Sequence, residues 1–176
     1  LSELAVQIDQ WLAQLAAADP SVEAVDRADD DARRWYVRLR GDEKEHITVW
    51  LVLGQRTLRY EAYVMPAPQE NVAKVYEMAL RRNEKLVGAH FAIGVEDALF
   101  LRGELPVAAI CAAEVDRIVG SIYAYAEQSF PSMCRLGLPR QFDNACPPCF
   151  AHPPIPPHPS QPYRTMADGR GVRQPT

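Results

Sequence analysis

From Ser2 to Ala18 the apolar side chains Leu4, Ile8, Trp11, Leu12 and Leu15 recur at helical spacing. This predicts an amphipathic helix with Ser2 as its N-cap and Asp19-Pro20 as its stop. The next stretch, Glu23 to Arg34, is dominated by charge and contains Asp29, Asp30 and Asp31 in succession, so a solvated connector is expected there. The period then falls to two. Trp35, Val37 and Leu39 alternate with Tyr36, Arg38 and Arg40; Ile47, Val49, Leu51 and Leu53 share one face; Leu58, Tyr60, Ala62 and Val64 share another. Gly41-Asp42 and Gly54-Gln55 separate these runs, which predicts a three-stranded antiparallel meander with one buried face.

Met65-Pro66-Ala67-Pro68 ends the third run, because proline lacks the donor that a sheet ladder needs. A second helix is expected next, with Val72, Val75, Tyr76, Ala79 and Leu80 as its apolar stripe and Arg81-Arg82-Asn83 at its end. Ala89, Phe91 and Ile93 then alternate with His90 and Ala92, Glu96-Asp97 make a turn, and Ala98 to Arg102 supply a fifth strand that ends before Gly103. A long final helix runs from about Ala112 to Arg135. Its apolar face (Val115, Ile118, Val119, Ile122, Tyr123, Ala126, Phe130 and Met133) exceeds what one sheet requires and is expected to meet a second subunit or a ligand. The order is α-β-β-β-α-β-β-α. The fold class is α+β, with helices on one side of a mainly antiparallel five-stranded sheet.

After Gly137 the composition changes. From Pro139 onward 10 of 38 residues are proline, including Pro153-Pro154-Ile155-Pro156-Pro157-His158-Pro159. Such a segment favours extended polyproline II and buries too little apolar area to order itself. Two domains of organisation follow: a folded unit over residues 1–137 and a proline-rich tail over 138–176. The tail contains PxxP spacings and a Cys146-Pro-Pro-Cys149 pair with His152 and His158 downstream, but prolines exclude the hairpin and helix of a zinc module, so no metal is expected.

The whole chain is 48% apolar and 24% charged, as ordinary globular proteins are. Up to Gly137 it holds 15 Lys and Arg against 21 Asp and Glu, whereas the tail has 4 against 2. An acidic domain without a basic stripe is a poor nucleic-acid binder, and nucleic acid is excluded as an expected partner. No run of about 18 apolar residues and no secretory leader pattern is found, so a cytoplasmic protein without a membrane segment is expected. Cys111 and Cys134 fall in helical patterns, where a reduced cysteine behaves as a small buried hydrophobe.

Catalytic signatures are missing: there is no GxSxG elbow, HExxH, phosphate-cradling glycine loop or dinucleotide fingerprint. His46 and His90 are single histidines without an assignable carboxylate partner. Glu114 and Asp116 suit the negative-charge preference of a helix start. Trp35, Trp50, Tyr60 and Phe91 are first of all core or sheet-face aromatics, with a peptide-binding sheet surface as the sharper alternative. No catalytic residue, binding residue, metal ligand or cofactor is assigned.

The strings Tyr76-Glu77-Met78-Ala79-Leu80-Arg81-Arg82-Asn83, Phe100-Leu101-Arg102-Gly103-Glu104-Leu105-Pro106 and Asp116-Arg117-Ile118-Val119-Gly120, with Ser129-Phe130 and Arg135-Leu136-Gly137, resemble the YbjN family of actinobacterial type. The likeness covers about Leu1 to Gly137. The resemblance implies a fold similar to type III secretion chaperones, which dimerise and bind extended partner segments, and the family label of bacterial sensory transduction regulator. The expected function is therefore a non-catalytic protein-binding or regulatory module, not an enzyme, acting as a homodimer on a protein partner or peptide segment. The sheet face, a sheet edge taking an added strand, or the last helix would hold that segment. The alternative is a small-molecule-binding protein or enzyme with a pocket around His90 or Glu61.

Overall fold

In the computed structural model, which describes residues 1–28 and 33–139, the period-two runs form a single antiparallel sheet. The elements are α1 (Ser2–Ala18), β1 (Val22–Arg27), β2 (Arg34–Arg40), β3 (His46–Leu53), β4 (Thr57–Met65), α2 (Val72–Asn83), β5 (His90–Ile93), β6 (Leu99–Pro106) and α3 (Ala112–Gly137), with short 3-10 turns at Val95–Asp97 and Val107–Ala109. The strand order is β1-β2-β3-β4-β6-β5. The sheet thus has six strands and not five. The extra one is β1, which falls in the segment expected to be a connector. It pairs antiparallel with β2 from Val22 opposite Leu39 to Arg27 opposite Trp35. Asp29 to Asp31 lie outside the described residues, as do the PxxP spacings, the Cys146–Cys149 pair, His152 and His158.

The inward positions of β2, β3 and β4 (Trp35, Val37, Leu39, Ile47, Val49, Leu51, Leu53, Leu58, Tyr60, Ala62 and Val64) are all buried. They are joined by Leu99 and Leu101 from β6 and Phe91 from β5. Strict alternation puts these side chains on one face, and that face carries the helices. α1 packs on β1 and α3, α3 crosses β3 and β4, and α2 packs on α3 and β5. Val64 and Met65 are buried consecutively because the β4–β6 register shifts between Tyr63 and Met65.

Several expectations change in detail. α1 begins at Ser2, but its N-cap is Leu1, with no side-chain cap. β6 does not stop at Arg102; it continues through Gly103 to Pro106 beside β4. Cys111 is the exposed N-cap residue of α3, not a buried helical cysteine, while Cys134 is half-buried on α3.

The largest correction concerns α3. Its apolar face is spent inside the chain: Val115, Ile118, Val119, Ile122, Ala126 and Met133 are buried in the core, and Phe130 is buried as well. The stripe is wide because α3 is the middle helix, with the sheet beneath it and α1 and α2 on its flanks. Those side chains are core residues and are not left over for a second subunit. Glu127, on the same helix, accepts backbone N–H bonds from Asp42, Glu43 and Lys44 at 2.8, 2.9 and 2.9 Å, which fixes the β2–β3 hairpin to α3. At the other end of the sheet, Asp9 accepts from Trp35 Nε1 and Arg27 at 2.6 Å each, joining α1 to β1 and β2.

Candidate functional site

The helices leave one face of the sheet uncovered, and register alone dictates what stands on it. Asp26, Tyr36, Trp50, Glu61, Arg102 and His90 lie side by side in a row across all six strands. Tyr36 meets Trp50 edge to face with ring centroids 6.1 Å apart. Glu61 accepts from Arg102 Nε at 2.8 Å, and the Arg102 guanidinium also sits over Phe100 at 5.0 Å. Trp50 is the sequence-flagged aromatic that this row displays. Trp35, Tyr60 and Phe91 point the other way and are core residues.

Among the described residues neither histidine is hydrogen-bonded to a carboxylate. His90 is exposed on an edge strand, two positions along the row from Glu61, whose charge is already matched by Arg102. His46 Nδ1 lies 3.3 Å from Glu23 Oε2 at the start of β3, a close approach that does not meet hydrogen-bond geometry. Glu114 Oε2 accepts from Arg117 Nη2 and Nε, at 2.6 and 3.0 Å, so Arg117 is ion-paired within α3. That hydrogen bond holds the Glu114 carboxyl below the usual carboxylate range. Among the described residues no group of three or more His, Cys, Asp or Glu is placed to hold a metal ion.

Two of the strings that carry the family resemblance meet around Tyr60. Gly103 stands opposite Tyr60 across β4 and β6, and the Tyr60 hydroxyl donates to the Gly88 carbonyl. Burial pushes the Tyr60 hydroxyl above its ordinary value, and the nearby Arg117 guanidinium draws it back only in part. A phenol whose folded-state value is raised stabilises the fold fully below its unfolded value near 10.0, and this contribution is lost as pH rises through the folded value. Tyr60→Phe should cost about 1 kcal/mol at pH 7. Urea unfolding of both proteins at pH 7 and pH 11 should show a smaller alkaline loss in the variant. An equal loss would mean that Tyr60 does not carry this part of the alkaline response.

The apolar surface left over lies elsewhere than the sequence places it. Among the described residues seven large hydrophobics are exposed, and five of them (Val72, Leu80, Val87, Ile93 and Val95) belong to α2, β5 and their flanks. The stripe predicted for α2 divides: Val75 and Ala79 are buried, whereas Leu80 is 69% and Val72 is 42% exposed. Asn83 lies three residues beyond Leu80 on the same flank of the helix and is bonded to Phe91, so Leu80 and Ile93 share one edge of the molecule.

At Phe91 the outward peptide groups of that edge are already occupied. Asn83 Oδ1 accepts from the Phe91 N–H at 2.6 Å, and Asn83 Nδ2 donates to the Phe91 carbonyl at 3.3 Å. The side-chain amide stands where a neighbouring strand would, and the opposite edge, β1, carries exposed Glu23, Asp26 and Arg27. Both are devices that protect sheet edges from strand addition.

An α+β domain with three helices on one face of an antiparallel sheet is the fold of type III secretion chaperones, and solved structures bear this out. A chain of the heterodimeric ExoU–SpcU complex from the type III secretion system of Pseudomonas aeruginosa superimposes with a TM-score of 0.51 at 15% identity, covering 70% of this chain and 95% of that one. A chain of the ExsC–ExsE complex gives 0.54 at 16% identity, covering 74% and 96%. The family model of YbjN, described as "Putative bacterial sensory transduction regulator", matches residues 3–135, and the chain belongs to that family. Relatives include the uncharacterized protein Rv0487 of Mycobacterium tuberculosis, 34% identical over 101 residues, which are 57% of this chain and 55% of the relative. ML2442 of Mycobacterium leprae is 28% identical over 108 residues, 61% and 59% of the two chains. The chain thus spans little more than half the length of the curated relatives it matches. Among the described residues no helix is long and apolar enough to cross a membrane.

Proposed function

We propose that this YbjN domain is a non-catalytic, cytoplasmic protein-binding regulator that pairs with a second copy through its α2–β5 edge and holds a partner protein while paired. The folded unit of this reading ends with α3, and the proline-rich segment from residue 140 lies outside the described residues. The observation that carries this reading is that five of the seven exposed large hydrophobics among the described residues, Val72, Leu80, Val87, Ile93 and Val95, belong to α2, β5 and the segments beside them, with Leu80 and Ile93 on one edge. Burying a side chain of this kind contributes roughly 1.5–3 kcal/mol, so a few such contacts per copy are enough for association. The contact is made by side chains and not by an added strand, because Asn83 already holds both peptide groups of Phe91. Two further findings support a protein-binding role: the family is described as a regulator, and both solved neighbours were determined as complexes.

The test is sedimentation velocity on the wild type and on Leu80→Glu/Ile93→Glu. Both positions are half or more exposed, so the melting temperature should change little. The wild type should sediment as a dimer at micromolar concentration, and the variant as a folded monomer. A wild-type monomer, or a variant that still dimerises, would remove the pairing from the account.

A further inference from the structure

α2 presents two unlike flanks. One carries Leu80 and faces the β5 edge; the other carries Lys74, Met78 and Arg81 at spacings of four and three, and Lys85, two residues past the helix end at Asn83, lines the same groove, which gives a stripe about 17 Å long. This second flank and the end of α3 enclose a shallow groove of ≈ 400 Å³, with Met78 and Leu136 as apolar wall and Arg82 at its base. The groove is firmly built. Gln69 and Glu70 donate their backbone N–H to the Gly137 carbonyl at 2.8 and 2.9 Å, Asn71 Nδ2 donates to the Leu136 carbonyl at 3.0 Å, and Arg82 donates to Ser132 at 2.7 Å.

Its charge runs against that of the molecule. Four cations and the single carboxylate of Glu77 line it, on a chain of net charge −4. Arg81 is paired with Glu77 at 2.7 Å, but the side chains of Lys74 and Lys85 make no ion pair or hydrogen bond among the described residues. Complementing the helix dipole accounts for Arg81 and Arg82 in the last turn. It does not account for Lys74, which sits in the first turn, where a cation is unfavourable and no acidic residue accompanies it.

We propose that this groove docks an acidic segment of a partner protein, with carboxylates against Lys74 and Lys85 and one apolar side chain against Met78 and Leu136. The proposal rests on the protein-binding reading above and names the chemistry of the partner. A short acidic peptide fits better than nucleic acid: the basic stripe is about 17 Å long, and a duplex extending past it would meet a domain that holds six more acidic than basic residues through Gly137. The two flanks of α2 are distinct, so the groove stays open when the β5 edge is paired.

The experiment is fluorescence anisotropy of the full chain with a labelled twelve-residue peptide of Glu and Asp carrying one central Leu. Its controls are the same peptide with Lys in place of the acids, the acidic peptide with Ser for Leu, and a labelled oligothymidylate. The acidic Leu peptide should bind best, weaken with added salt, and lose about tenfold in affinity with Lys74→Glu/Lys85→Glu, whose exposed positions leave the melting temperature unchanged. Leu80→Glu/Ile93→Glu should bind it as the wild type does, so a failure of pairing and a failure of docking are told apart. Equal binding of the Lys peptide, an unaffected Lys74→Glu/Lys85→Glu variant, equal binding of the Ser peptide, or tighter binding of the oligothymidylate would each overturn the proposal.

Discussion

Ile122→Asp should leave the chain unable to fold, not folded and dissociated. Ile122 is fully buried at the centre of α3, among the residues that join that helix to the sheet. Removing the isoleucine forfeits about 2–5 kcal/mol of core packing, as deletions of large aliphatic side chains do. An unpaired carboxylate at the same place adds a desolvation penalty of several kcal/mol. Together these rival the roughly 5–15 kcal/mol by which a domain of this kind is stable. Circular dichroism with heating should show no cooperative transition. A variant that melts cooperatively near the wild-type temperature, as a monomer, would return α3 to the role of partner surface that its sequence pattern suggests.

Gly103→Val should be nearly as severe, for a steric reason. The ring of Tyr60 lies across Gly103 to reach the Gly88 carbonyl, and a Cβ built on Gly103 collides with both the ring and that carbonyl oxygen. Neither can yield cheaply, since one is backbone and the other is pinned by its own hydrogen bond and by burial. Overpacking a filled site usually costs about 1–3 kcal/mol, and valine adds two methyl groups to a clash that alanine would already make, so about 4 kcal/mol is expected. Urea denaturation should place Gly103→Ala between the wild type and Gly103→Val. If Gly103→Ala keeps the wild-type midpoint, the close approach of Tyr60, Gly88 and Gly103 is not what holds this corner.

The contrast between what the sequence shows and what it hides follows from burial. β2, β3 and β4 stand out because each is central, buried on one face and solvated on the other, so polarity alternates without interruption. β1 hides because it is an edge strand with a bulge between Val22 and Ala24, which breaks the alternation, and because edges carry the charge that reads as connector. β6 outruns its apolar stretch because Gly103 is there for the Tyr60 ring and not for a turn.

The buried fate of the α3 stripe is hidden in the sequence for a related reason. Periodicity reports that a helix has an apolar stripe but not which neighbour consumes it: the wide stripe of α3 found three neighbours, while Leu80, in the modest stripe of α2, found none. The row Asp26-Tyr36-Trp50-Glu61-Arg102-His90 exists only through register between strands that are distant in sequence, which no local pattern encodes.

The most direct measurement of the pairing surface is amide hydrogen exchange at two protein concentrations, one well below and one well above the dissociation constant for self-association. Concentration-dependent protection confined to the segment from Val72 to Val95, with α3 unchanged, is the expected pattern. Protection that does not vary with concentration, or that rises in α3 instead, contradicts it.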